Sequence, residues 1–187
     1  MFVVRAGQVR ISKQVRGGER TLATLGPGEF FGEMAVLSGR PRSATATASD
    51  PLTLLEVDVD RFYSMINTQP EITVRILKKL AQRLDDADSL IAILTKRDPK
   101  TRVILGLIRE AEERGVPGEG EESRIVQRDF GELSVELGVR PAELDEVIAR
   151  LVRVKLVRPV QGGLELASVA KITEFLGFLE QRGIVQE

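Results

Sequence analysis

Residues 28–48 read GEFFGEMAVLSGRPRSATATA, and their interpretation governs the rest of the chain. Gly28 and Gly32 bracket two aromatics, and residues 33–37 suit a short helical turn whose first backbone N–H groups lack an intrahelical acceptor. A turn of this kind favours an anion at its start. Gly39-Arg40-Pro41 makes a tight bend, and residues 42–47 then alternate small polar and small apolar side chains as a strand does. The bend lets Arg42 fold back over the turn. The Arg42 guanidinium, the Ser43 hydroxyl and the amides running from Gly32 through Met34 and Ala35 then converge on a phosphate, while Glu33 is left for a sugar hydroxyl. The plainer alternative makes Gly32 and Gly39 ordinary turns of a β-barrel and Arg42 a surface cation.

On either side of this cassette the chain reads as short strands. Residues 1–4 enter as a strand, Ala6-Gly7 turns, residues 8–12 alternate, and Gly17-Gly18 forms a hairpin turn into residues 20–25. Residues 51–57 supply a further strand, completing an antiparallel β-roll. Asp58 to Asp60 caps a helix at 61–66, and Gln69-Pro70 opens a longer one. In that helix Leu77, Leu80, Leu84, Ala87, Ile91 and Leu94 follow a strict heptad spacing, narrower than a globular face needs. Self-pairing of two copies is therefore expected, the alternative being that the stripe packs on the protein's own roll.

Asp98-Pro99 starts a helix through about Arg114, with a hinge near residues 97–99, and residues 115–123 form a flexible acidic loop. A strand at 123–127, helices at 129–138 and 141–153 around a glycine turn, and a β-hairpin at 156–166 spell a helix-turn-helix with a wing. Ser168 is placed to cap a final helix bearing Val169, Ile172, Phe175, Leu176 and Leu179 on one face.

Composition narrows the chemistry. Of 187 residues 42% are hydrophobic and 29% charged, with no Cys and no His, which removes disulfides, thiol nucleophiles, the commonest general base and the commonest metal ligand. No nucleophile–base set emerges, so the expectation is neither enzyme nor metalloprotein. No apolar run reaches membrane-span length and no signal core opens the chain, so a cytoplasmic location without membrane association is expected. Residues 99–187 carry 13 basic and 16 acidic side chains. That balance is awkward for a DNA-binding domain, whose affinity rests on neutralising phosphates.

Glu33 and Arg42 with Gly immediately before the Glu, Ala two after it and Ser-Ala-Thr after the Arg closely resemble the phosphate-binding cassette of cyclic-nucleotide-binding domains in Crp/Fnr regulators and cyclic-nucleotide-dependent kinases. The resemblance implies a cyclic mononucleotide effector, cyclic AMP or cyclic GMP, with Arg42 on the cyclic phosphate and Glu33 on the ribose 2′-hydroxyl. It implies an α+β fold of β-roll (residues 1–69), dimerisation helix and hinge (70–98) and winged-helix output domain (99–187). Residues 1–7 resemble the middle of the family's roll, so the leading helix and strands of the sensor are expected to be missing and a sheet edge to stand open. On the long helix, where adenine-binding members tend to have Thr and Ser, residues 85–88 are Asp-Asp-Ala-Asp. Asp88 is a candidate for the base edge, with a solvated acidic face as the alternative.

The output domain is similar to the family's in its Leu-Gly-Val, Arg-Leu-Val and Lys-Leu-Val punctuation, but its base-reading positions hold Arg140, Pro141, Ala142, Glu143 and Glu146. Pro and Ala supply no bond to guanine, and the acids repel phosphate. Arg140, Arg150 and Arg153, with Lys155 and Arg158, remain for backbone contact. The implied function is a homodimeric, cyclic-nucleotide-responsive transcription regulator acting on DNA, with RNA polymerase or another protein as a further partner. The alternative is the same sensor with its winged helix holding a protein and not specific DNA.

Overall fold

The short alternating runs ahead of residue 57 do form antiparallel strands, and the helical segments expected after it form helices, in a computed structural model that describes residues 1–15 and 18–182. The first strands are β1 (Phe2–Ala6), β2 (Val9–Val15), β3 (Gly18–Leu25) and β4 (Phe30–Phe31). Then come α1 (Glu33–Ser38), β5 (Thr45–Ala48), β6 (Thr53–Glu56), α2 (Val59–Thr68) and α3 (Pro70–Thr95). The remainder is α4 (Pro99–Arg114), β7 (Val116–Pro117), β8 (Arg124–Val126), α5 (Phe130–Glu136), α6 (Pro141–Arg153), β9 (Val157–Val160), β10 (Gly163–Leu166) and α7 (Val169–Gln181). Gly17, half of the expected hairpin turn, lies outside the described residues.

The chain divides into two compact units, Met1–Ala81 and Gln82–Glu187. In the first, two antiparallel sheets run in the orders β4-β1-β6 and β3-β2-β5. Val4, Val9 and Leu25 fill one small core between strands. A second core joins Met1, Phe30, Val57, Phe62 and Ile76, with Ile72 and Leu80 packed beside them. Burial of side chains such as Phe30, Phe62 and Ile76 contributes about 1.5–3 kcal/mol each, so the first turns of α3 are fixed to the sheet through this cluster. β5 and β6, each an outer strand, are exposed along their length.

The helix starts follow their local chemistry. Asp58 accepts from the Arg61 amide at 2.7 Å, Asp98 from Thr101 at 3.0 Å and Asp129 from Glu132 at 3.0 Å. Ser168 departs from expectation: it precedes α7, but its hydroxyl makes no cap and instead donates to Glu122 at 2.9 Å.

In the second unit the β7-β8-β10-β9 sheet and α4–α7 enclose one continuous core that includes Ile104, Leu107, Leu133, Leu144, Leu151, Leu166, Ile172 and Leu179. Gly106 on α4 lets Leu137 come so close that a Cβ there would meet its methyls at 2.6–2.8 Å. Beside this contact runs a largely buried ionic network that no local sequence pattern announces. Arg109 and Glu110 of α4, Arg128 ahead of α5 and Glu136 of α5 pair with one another, and Arg109 also lies 3.8 Å from Glu113. Burial pushes the Glu136 carboxyl up, but the bonds and charges of Arg109 and Arg128 outweigh it and hold the group below its ordinary value.

The apolar side chains of α3 divide among different environments, and among the described residues Leu80 alone of the heptad positions is packed into a core. Ile72, Ile76 and Leu80 join the first unit's core, and Leu90 and Ile93 join the second's. Leu77, Leu84, Ile91 and Leu94 of the heptad seam stand 42–62% exposed, as does Val74 at 49%.

Candidate functional site

The turn Gly26–Glu29 delivers the chain into β4. It is closed by the Glu29 amide on the Gly26 carbonyl at 3.1 Å, and tied to β1 by Gly28 donating to Val4 and Val4 donating to Glu29, both at 2.9 Å. Gly32 then takes a left-handed conformation, φ +78°, immediately before α1. The reversal puts Glu33 at the first position of the helix, only 1% exposed. Met34 is exposed and Ala35 half-buried in the same first turn. Gly39, also left-handed at φ +67°, ends α1 with its amide on the Ala35 carbonyl at 3.1 Å.

Beyond that bend Arg42 returns to the start of the helix. Its Nη1 donates to the Gly32 carbonyl at 2.6 Å, and its guanidinium carbon lies 5.6 Å from the centre of the Phe2 ring. A Cβ on Gly32 would sit 2.1 Å from that same Nη1, so absence of a side chain there is what admits the arginine. Phe2 in turn stacks on Phe31 with ring centroids 5.3 Å apart. Arg42 is exposed and, among the described residues, its remaining donors have no partner; Ser43 beside it is exposed as well. The arrangement therefore offers a planar cationic fork next to a glycine backbone and a buried carboxylate, the set that suits a phosphate ester carrying a hydroxyl.

Sequence reasoning brought Gly32, Glu33 and Arg42 together but missed Phe2. Its part depends on the β1–β4 pairing, which sets Phe2 opposite Phe31 across 29 residues. Asp88 lies in the second unit on an exposed part of α3. A separate cleft of about 470 Å³ also belongs to the second unit, lined by Ala111, Glu112, Glu121, Glu122, Arg124 and the start of α7. Among the described residues no group of three or more acidic side chains gathers in a way that could hold a metal ion, and no helix is long and apolar enough to cross a membrane.

On the helix-turn-helix, formed by α5 and α6, Gly138 makes the turn at φ +60°. Arg140 precedes α6 and is 80% exposed, yet its guanidinium donates to Glu143 at 2.8 Å while its amide donates to the other Glu143 oxygen at 2.8 Å. The Arg140 side-chain bond, then its backbone bond, hold the Glu143 carboxyl below its usual range. Glu146 is 3.1 Å from Lys100. Arg150 lies 5.9 Å from the Phe175 ring on α7. Arg153 is exposed, and Lys155 just after α6 is exposed at a left-handed φ of 60°. Arg158 on the wing is bound to Glu119 and to Glu165.

A family model described as the cyclic nucleotide-binding domain matches residues 1–69. The cyclic AMP receptor protein of Thermus thermophilus is 30% identical over 175 residues, which cover 93% of this chain and 78% of that protein. This chain belongs to the CRP/FNR family. A CRP-like cAMP-activated global transcriptional regulator of Mycobacterium tuberculosis is also 30% identical, over 116 residues spanning 62% of this chain and 52% of that one. Among solved structures, a CRP/FNR-family transcriptional regulator from Thermus thermophilus superposes with a TM-score of 0.64 at 25% identity, covering 94% and 87% of the two chains. The CooA mutant from Carboxydothermus hydrogenoformans gives 0.76 at 21% identity, over 93% of this chain and 77% of that one, a likeness of fold. The CRP/FNR architecture, an antiparallel β-roll followed by a long helix and a helix-turn-helix domain, is thus the α+β arrangement that the resemblance of the cassette and of the output domain implied.

Proposed function

We propose that this chain is a cyclic-mononucleotide-responsive transcription regulator. Arg42 would take the cyclic phosphate through its open guanidinium edge, with Ser43 and the backbone of Gly32, Met34 and Ala35 completing the anion's surroundings. Glu33 would accept from the ribose 2′-hydroxyl. The reading is carried by one observation: Arg42 folds over the side-chain-free Gly32 next to a buried Glu33, within the segment matched by the cyclic nucleotide-binding model. The relatives named for cyclic AMP make cyclic AMP or cyclic GMP the effector to try first.

Two copies would pair through the exposed α3 seam and present their winged domains to DNA, with Arg140, Arg150 and Arg153 on the backbone, in the cytoplasm and in the company of RNA polymerase. Occupancy of the cassette would favour one arrangement of the pair over another, which is what coupling requires. Isothermal calorimetry with cyclic AMP and cyclic GMP tests the site. A charge-assisted bond is worth roughly 1.5–3 kcal/mol, so Arg42→Ala is expected to weaken binding by about ten- to a hundredfold; unchanged affinity removes Arg42 from the site.

One observation favours a second reading of the output domain, as a protein-binding module. Glu143, Asp145 and Glu146 crowd the first turns of α6, and Arg140 and Arg158 are engaged with carboxylates.

A further inference from the structure

The turn that feeds the cassette is gripped from α3 as well as from β1. Arg75 Nη2 donates to the Gly28 carbonyl at 3.3 Å, and Lys79 Nζ lies 2.7 Å from Glu29 Oε1. Glu29 uses its other oxygen to accept the Gly26 amide at 3.0 Å, so a single carboxylate both closes the turn and ties it to the helix. Arg75 and Lys79 are four residues apart, on adjacent turns of one helical face. Ile72, Ile76 and Leu80 on the neighbouring stripe reach the core that holds Phe30, the residue directly after Glu29. Val74 and Leu77 point elsewhere, 49% and 59% exposed. The same two turns of α3 therefore hold the entry to the cassette with one face and present the open seam with another.

We propose that Arg75 and Lys79 are positioning residues for the cassette, a strap that fixes the Gly26–Glu29 turn and carries occupancy at Gly32, Glu33 and Arg42 into α3. The proposal rests on the cassette being the cyclic-nucleotide site. By reciprocity, if occupancy alters the hold of the turn on α3, weakening that hold alters affinity at the cassette. The Lys79–Glu29 pair is partly solvated, 36% and 31% exposed, so its effect is modest and is a matter of placement more than of bond strength.

The experiment measures two quantities on the full chain: affinity for cyclic AMP by calorimetry, and ligand-dependent amide-exchange protection of residues 70–81. With Lys79→Gln, affinity is expected to fall about threefold and the ligand-dependent protection to fall by at least half. Lys79→Arg keeps both near wild type, because a guanidinium still reaches Glu29. Arg75→Ala, which leaves Lys79 in place, lowers both in the same sense. Lys78→Gln removes an equal charge from an exposed neighbour and is expected to change neither. Wild-type values in both Lys79→Gln and Arg75→Ala, or an equal loss in Lys78→Gln, overturn the strap while leaving the site intact. Absence of binding by the wild-type chain to cyclic AMP and to cyclic GMP overturns the cassette reading and the strap with it.

Discussion

Gly32 combines a left-handed backbone, φ +78°, with the closest approach of a functional side chain, since a Cβ would stand 2.1 Å from Arg42 Nη1. Gly32→Ala is therefore expected to cost about 1–2 kcal/mol of stability from the backbone conformation alone, read by urea unfolding. It also evicts Arg42 from the Gly32 carbonyl, so cyclic-nucleotide affinity should fall even where the variant is fully folded. Glu165 on β10 makes the stability of the second unit depend on pH. Its carboxylate is 5% exposed and receives Arg158, the Ser123 hydroxyl at 2.8 Å and the Glu119 amide at 2.8 Å. The Arg158 bonds, then Ser123, lower its pKa from 4.5 to about 2. A carboxyl depressed on folding stabilises the native state fully above its ordinary value and loses that contribution as pH falls toward 2. Thermal unfolding between pH 5 and 2 should accordingly show a shallower pH dependence in Glu165→Gln than in wild type, with the wild-type advantage shrinking as the pH drops.

Among the elements, α3 separates two kinds of apolar position that its sequence runs together. Residues 72, 76 and 80 are spaced to meet the sheet of the first unit, whereas Leu77, Leu84 and Ile91 recur every seven residues on an exposed face. Exposed leucines at this spacing form the contact line of a coiled-coil pair. Leu77→Lys with Leu84→Lys is expected to shift the sedimentation velocity of the chain toward that of a 20.6 kDa monomer without changing its far-ultraviolet circular dichroism; an unchanged mass would assign the seam another use. The α6 element shows the reverse case, where acids that look hostile to DNA have structural work. Glu143 secures the Arg140 amide at the helix start and Glu146 answers Lys100.

For the molecule as a whole, charge sets the scale of nucleic-acid affinity. On α6 and the turn after it, Arg153 and Lys155 are exposed and have no partner among the described residues, whereas Arg140 and Arg158 are paired with acids. DNA binding followed by mobility shift is therefore expected to weaken with salt but with a modest slope. Arg153→Ala should reduce the slope of log K against log salt by about two in a dimer, one for each phosphate no longer neutralised. Complete absence of a shift at low salt would favour the protein-binding reading of the winged domain. The sequence alone determined the strand-rich first part, the heptad on α3, the helix-turn-helix and wing, and the conjunction of Gly32, Glu33 and Arg42, because each is written in spacings of fewer than about twenty residues that backbone periodicity and turn chemistry make legible. Only the tertiary structure decided that Phe2 lies under Arg42, that Arg75 and Lys79 hold the Gly26–Glu29 turn, that Arg109, Glu110, Arg128 and Glu136 share one ionic network, and that Ser168 donates to Glu122 in place of capping α7. Those contacts join residues distant in the chain, and a side chain's partner across such a distance is set by strand register and helix packing, which no local pattern encodes.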